Sequence, residues 1–269
     1  MASESIQISV ACATIGSPGL AEVVARLLAT ALPIEVILVV DDPRADIAAV
    51  LGADLIADPR VVVLRNEANF GVTRSLNRAV RAARGAIVVR NDDDDLPEPQ
   101  RLDRIAGFFA DHPAVDLVYS FARGSDEAGT RTWTIDGPTT DAGIKAALER
   151  RNFIVHSTLA FRRDRLEPLG FYDETFRFAQ DYDLYLRAMR AGLTFGCIAE
   201  PLVTRIYHDR SITVSKRRRQ ILNSFAARLV HEAQREGDHS PWRTIFAYCR
   251  LLLVPDWMRA LRRRVGLGK

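Results

Sequence analysis

Four consecutive aspartates, Asp92–Asp95, stand directly after the apolar run Ala86–Val89 and the pair Arg90–Asn91. Adjacent carboxylates repel, and a strand end that buries them calls for a cation. Hard divalent ions such as Mg2+ or Mn2+ take oxygen ligands and bridge carboxylates to diphosphates. In an extended chain Asp92 and Asp94 point to the same side, so one can meet a metal while the other faces a sugar hydroxyl. The alternative is a solvated acidic loop. Asp41–Asp42 follows a second apolar run. There a carboxylate accepts hydrogen bonds from a base edge or ribose, or else caps a helix before Pro43. The segment Asn69-Phe70-Gly71-Val72-Thr73-Arg74-Ser75-Leu76-Asn77 opens a helix. A helix start preceded by glycine suits a phosphate, and Arg74, one turn inside, can reach the same anion. The alternative is a plain glycine turn with a surface arginine. Asp181 starts a helix after an aromatic loop holding Phe171, Tyr172, Phe176 and Phe178. It is either a helix cap or, facing a cleft, a general base toward a hydroxyl. His156 and His208 read as ordinary hydrogen-bonded histidines, as acceptor-site groups or, for His208, as a metal ligand.

Such groups act together only if the chain gathers them at one edge. Ile6–Cys12, Glu35–Val40, Val61–Arg65 and Ala86–Arg90 read as apolar strands. Ser17–Ala31 reads as a helix, as does Val72–Arg84 with Leu76, Ala79, Val80 and Ala83 on one face. Continuous apolar strands separated by helices predict an α/β fold, a parallel sheet covered on both faces. Ligands of such sheets bind beyond the carboxyl ends of the strands. Thr14, Asp41, Asp42, Asn69 and Asp92–Asp95 all fall there. Further on, Arg101–Asp111, Asp141–Arg151 and Asp181–Ala191 read as helices, and Asp116–Phe121 and Thr158–Arg162 as strands. Residues 125–138 read as a loop or edge hairpin. The division expected is 1–124 for nucleotide binding, 125–215 for the acceptor and base, and 216–269 as a basic helical tail. In that tail, helices are expected over 216–236, 240–254 and 257–265.

Composition narrows the class. With 48% hydrophobic and 26% charged residues in 269, the chain can build a core and is not disordered throughout. Cys12, Cys197 and Cys249 form no C-x-x-C pair, which argues against a disulfide scaffold and for a reducing cytosol. The first residues lack the basic start and apolar run of a signal peptide. No uncharged apolar stretch has membrane-spanning length. Residues 216–269 hold 13 Lys/Arg against 4 Asp/Glu, whereas residues 1–215 hold 24 against 30. With Trp242, Phe246, Tyr248 and Trp257 among its arginines, the tail suits peripheral contact with an anionic membrane. A helical pair packed on the body is the alternative. No recognition fold accompanies the charge, so nucleic acid is not expected. A P-loop, a Gly-x-Gly-x-x-Gly and a Gly-x-Ser-x-Gly are all missing.

From residue 6 to about 213 the chain resembles the family 2 glycosyltransferases of GT-A fold. The most specific stretch is Asn-x-Gly-Val-Thr-Arg-Ser-Leu-Asn, then Arg-Gly-Ala-Ile-Val-Val-Arg, then the four aspartates with Pro99 and Arg101-Leu102. The resemblance implies an inverting transferase that takes a nucleotide-diphosphate sugar as donor, with Mn2+ or Mg2+ as cofactor. It implies a glycan or lipid-linked acceptor in bacterial surface polysaccharide synthesis, in the cytoplasm or at the inner face of the membrane. Thr14 and Asp42 (or Asp41) would contact base and ribose, and Asn69 and Arg74 would lie near the nucleotide. Asp92 and Asp94 match Asp-x-Asp, with Asp94 toward the metal. His156-Ser157-Thr158 would border the acceptor cleft, and Asp181, in Gln-Asp-Tyr-Asp-Leu, would be the base. Three departures stand out: Ala13 in place of proline, Gln180 in place of glutamate, and an altered spacing at Arg205-Ile206-Tyr207-His208. Two rival readings are a non-catalytic sugar-nucleotide module and a nucleotidyltransferase releasing diphosphate.

Overall fold

Alternation along the first strand decides the layers. In β1 (Ile8–Thr14), Ile8, Val10 and Cys12 point to one face and Ala11 to the other, and all four are buried. The neighbouring β2 (Ile34–Val40) is buried along its whole length, as a strand covered on both faces must be. The computed structural model describes residues 6–207, 217–233, 245, 248 and 249. With β3 (Val61–Arg65) and β4 (Ile87–Arg90), these strands pair parallel in the order β3-β2-β1-β4.

The sheet continues into the second half of the chain. The short β8 (Ala160–Arg162) lies antiparallel between β4 and β6 (Leu117–Asp126). Next comes β9 (Phe195–Tyr207), parallel to β6, and last β5 (Asp95–Pro97), antiparallel to β9. Residues 125–138 take the hairpin form, since β7 (Thr132–Ile135) pairs back on β6. The expected parallel sheet is thus mostly parallel, with β5, β7 and β8 running the other way. The β6–β9 register shifts on either side of Phe121, which faces Pro201. A bulge there bends β9 so that its far half reaches β5.

Helices cover both faces. One carries α1 (Leu20–Leu28), α2 (Ile47–Ala57) and α4 (Arg101–Asp111). The other carries α3 (Val72–Ala82), α5 (Asp141–Leu148), the single turn α6 (Arg163–Leu166) and α7 (Gln180–Arg190). On α3, Leu76, Ala79 and Val80 are buried as the spacing predicts, each large aliphatic side chain so covered contributing about 1.5–3 kcal/mol. In the tail, α8 (Arg217–Ala233) adds Ala227 to this second core. Phe225 and Tyr248 meet with ring centroids 5.1 Å apart and planes tilted by 38°. This described part of the tail packs on the body, whereas the helices expected over 240–254 and 257–265 lie outside the described residues save for 245, 248 and 249. Among the described residues no helix is long and apolar enough to cross a membrane.

Candidate active site

The acidic run leaves β4 and is shaped from beneath by neutral and cationic groups. Asn91, fully buried, donates from Nδ2 to the carbonyl oxygens of Asp92 (2.6 Å) and Asp95 (2.9 Å), which curls the run into a tight loop. Arg101, at the start of α4, is also fully buried. It donates to Asn91 Oδ1, to the Arg90 carbonyl at 2.7 Å and to the Ser157 carbonyl. Ser157 belongs to a 3-10 turn, His156–Thr158, that replaces the start of the strand expected at Thr158. Its hydroxyl donates to Asp95, which is buried and begins β5 opposite Arg205. Burial raises the Asp95 carboxyl above the ordinary range, helped by the charge of Asp92.

The remaining acids face different partners. Asp92 is ion-paired with Arg90, whose side chain is only 2% exposed inside the protein. Burial opposes the Asp92 charge most, but Arg90 and Arg205 among the surrounding groups together outweigh it and hold the carboxyl below its usual range. Asp93 accepts from Thr14 Oγ1 at 2.6 Å, and Thr14 in turn accepts from Gly16 N at 2.9 Å. The ends of β1 and β4 are therefore stitched together. Burial pushes Asp93 up to about 6, against the Thr14 hydrogen bond and with the help of Asp94 and Asp92. Asp94 is exposed.

Asp181 stands in the first turn of α7, preceded by Ala179 in the left-handed conformation (φ 61°). Its Oδ1 accepts from Tyr182 N and its Oδ2 from Asn152 Nδ2, each at 2.8 Å. Burial raises its carboxyl above the ordinary range, and Asp92 lies near enough to add repulsion. A carboxylate so placed is a better proton acceptor than one in water. His156 hydrogen-bonds through Nε2 to Tyr172 Oη at 2.9 Å, and burial together with Arg90 pushes its imidazole down to about 3. It is therefore neutral at pH 7.

The base-side candidates separate. Asp41 is buried and accepts from Asn66 Nδ2 (2.7 Å), Phe70 N and Gly71 N (both 2.9 Å). It clamps the turn that starts α3, where Gly71 has φ 88° and needs to be glycine. Asp42 is more open and pairs with Arg44 at 3.2 Å. Neither caps a helix; Asp46 caps α2, accepting from Ala49 N. Asn69 is exposed on the same turn. Arg74, 57% exposed, pairs with Glu174 at 3.3 Å and lines a side cleft of about 390 Å3 with Asn66, Phe70, Arg78, Arg81 and Glu174. Asn77 and Thr73 instead hold the 172–176 strap, through Tyr172 and Phe176 backbone atoms and the Glu174 carboxylate.

The structure thus brings Thr14, Asp92, Asp94 and Asp181 into one neighbourhood, and sets Asp41 and Arg74 to other contacts. His208 lies outside the described residues. Sequence reasoning missed Asp93, Arg90, Arg101 and Asn152 as contributors. An arginine closing an apolar strand just before an acidic run was the available signal for Arg90. Among the described residues no three His, Cys, Asp or Glu side chains gather to hold a metal alone. The donors present are all carboxylate oxygens, the type Mg2+ and Mn2+ take, and Mg2+ is commonly held by one or two carboxylates plus substrate phosphates. In that sense Asp92 and Asp94 fit such an ion.

Residues 10–170 match the profile described as Glycosyl transferase family 2. The chain is 27% identical over 209 residues to the uncharacterized glycosyltransferase MJ1057 of Methanocaldococcus jannaschii, spanning 75% of this chain and 72% of that protein. It is 27% identical over 161 residues to the amylovoran biosynthesis glycosyltransferase AmsE of Erwinia amylovora, spanning 59% of each. Among solved structures, S. aureus TarS 1–349 in complex with UDP-GlcNAc aligns with TM-score 0.70 at 16% identity, over 92% of this chain and 72% of that one. Mannosyltransferase PcManGT from Pyrobaculum calidifontis, in complex with GDP-Man and Mn2+, aligns with TM-score 0.64 at 21% identity, over 98% and 76%. The architecture they share with this chain is the GT-A fold.

Proposed function

Because the chain belongs to glycosyl transferase family 2, we propose that it is an inverting transferase in bacterial surface polysaccharide synthesis, acting at the cytoplasmic side of the membrane. It moves a sugar from a nucleotide-diphosphate donor to an acceptor hydroxyl. Its relative AmsE is a glycosyltransferase of amylovoran biosynthesis, and its structural neighbours are complexes with UDP-GlcNAc and GDP-Man. The observation that carries the reading is the convergence of two distant carboxylate groups. The acidic loop after β4 and Asp181 on α7 lie close enough for Asp92 to perturb Asp181.

On the donor side, Thr14 and Asp42 border base and ribose, with Asn69 and Arg74 at the start of α3. Asp94, with Asp92 beside it, would hold a divalent ion. Such an ion, when bound, offsets charge on the departing diphosphate. Asp181 takes the proton of the acceptor hydroxyl as its oxygen bonds to the anomeric carbon. The bond from that carbon to the diphosphate breaks, and its electron pair leaves on the diphosphate oxygen. One displacement inverts the configuration.

Thermal-shift measurements with UDP-GlcNAc and GDP-mannose, with Mn2+ or with chelator, test the donor class. A donor at a hundred times its Kd raises the midpoint by roughly 5–10 °C. Asp181→Asn keeps that shift and abolishes transfer. Wild-type turnover in this variant would remove Asp181 from the chemistry.

A further inference from the structure

The geometry points to Asn152 as the positioning residue of the base: its side-chain amide fixes which oxygen lone pairs of Asp181 remain open to the acceptor. This rests on the reading of Asp181 as general base. Asn152 lies between α5 and the 3-10 turn at His156, and Asp181 opens α7, so the contact joins two separate elements. The amide must present nitrogen, not oxygen, to a carboxylate, and Nδ2 does so at 2.8 Å from Oδ2. Tyr182 N occupies Oδ1. Each oxygen therefore has one lone pair committed to the protein, and the carboxylate cannot rotate without breaking both bonds.

Two further observations set Asn152 apart from ordinary structural amides. Its own Oδ1 is buried, and no hydrogen-bond donor reaches it among the described residues. A buried carbonyl without a donor costs stability, so the amide is a poor choice for holding the fold together. The segment around it is already anchored by other means. Tyr182 Oη donates to the Leu148 carbonyl at 2.6 Å, Ile154 is buried, and the Phe153 ring meets Tyr119 edge-on at 5.5 Å. The backbone at residue 152 does not depend on the amide.

Among the described residues, the titratable groups that act on Asp181 are Asp92 from the acidic loop, Tyr172 from the strap and Tyr185 from its own helix. Both phenols are buried and stay neutral, and Asp92 repels. The Tyr182 amide and, after it, the Asn152 side chain favour the ionised base, working against burial. Without the Asn152 side chain, Asp181 binds its proton more tightly and points less reproducibly.

The test uses the full chain with Asn152→Ala and the near-isosteric Asn152→Asp. The readouts are thermal midpoint, the 13Cγ NMR titration of Asp181 (assigned by its loss in Asp181→Asn), and hydrolysis of UDP-GlcNAc and GDP-mannose against pH. The expected result for Asn152→Ala is a midpoint within a few degrees of wild type. Proton affinity at Asp181 rises about threefold or more; protonation lowers the rate by no more than that same factor, recovered as pH rises, and the less ordered carboxylate adds a loss at every pH. Asn152→Asp places two carboxylates side by side and moves the titration further in the same direction. An unshifted Asp181 titration in both variants, or an Asn152→Ala rate equal to wild type at every pH, overturns the assignment. Undiminished hydrolysis in Asp181→Asn instead overturns the base reading on which it stands.

Discussion

Replacing Asp41 by Asn distinguishes a clamp on the 66–71 turn from a contact with the donor base. The carboxylate accepts three N–H bonds, two at Oδ1 and one at Oδ2, and is only 4% exposed. An asparagine can keep its oxygen in the Oδ1 place, which retains Asn66 Nδ2 and Phe70 N. Its NH2 then confronts the Gly71 N–H, donor against donor. Leaving that buried donor unsatisfied costs about 1–3 kcal/mol, and the two surviving bonds weaken because they no longer end on a charge. The sum is about 2–4 kcal/mol, or roughly 4–16 °C in the thermal midpoint of a chain this size. Urea unfolding followed by circular dichroism measures the first number, and donor titration of the same samples measures the second effect. The clamp predicts a large stability loss with weakened donor binding following from a loosened turn. Asp42→Asn, at the more open position paired with Arg44, predicts unchanged stability with weakened donor binding alone. If Asp41→Asn behaves as predicted for Asp42→Asn, keeping its midpoint, the clamp argument is refuted and Asp41 touches the base.

Arg101→Met leaves the oxygens of Asn91, Arg90 and Ser157 without their donor. The expected cost is about 3–5 kcal/mol, read as a midpoint roughly 6–20 °C lower, and nucleotide binding weakens as the acidic loop loses its shape. Asp181→Asn should gain stability at neutral pH as it loses activity. A carboxyl whose folded pKa is raised contributes fully below its unfolded value, about 3.9, and loses that contribution as pH rises through the folded one. Urea midpoints of variant and wild type should therefore converge near pH 3 and separate, variant higher, toward pH 7. Ala179→Val forces a β-branched residue into the left-handed region at φ 61°. It should cost about 1–2 kcal/mol and reduce turnover by disturbing the first turn of α7, whereas Ala179→Gly should stay within about 1 kcal/mol of wild type by calorimetry.

Elements with a strong local signal were readable. Arg101–Asp111 forms the helix its spacing predicts, end to end, and the strands ending at Val40, Arg65 and Arg90 stop where expected. What sequence hid were elements that exist through distant partners. The three residues Asp95-Leu96-Pro97 have no strand character of their own and become β5 because β9 offers them a ladder. Pro201 and the register shifts concealed β9 itself. Gly52, at φ 78°, interrupts α2 and blurs its period. In the site, residue types were legible before their duties. The acidic run after β4 stood out as a candidate metal or sugar site, but the adjacent Asp41 and Asp42 look alike in sequence. Only the fold brings Asn66 and the Phe70 and Gly71 amides to one of them. Asn152 carried no motif signal, because its contact is with a residue on a helix distant in sequence.

The interleaving of β8 between β4 and β6, and of β9 beside β5, limits how this enzyme can be recombined. A chimera joining the first half of this chain to the second half of a relative would cut through the acidic loop's own supports. Arg101 reaches to the Ser157 carbonyl, Ser157 to Asp95, and Asp95 pairs with Arg205 across the ladder. Donor and acceptor preferences are therefore not exchangeable as cassettes. A library built by shuffling would yield active members chiefly where these long-range pairs were inherited from one parent.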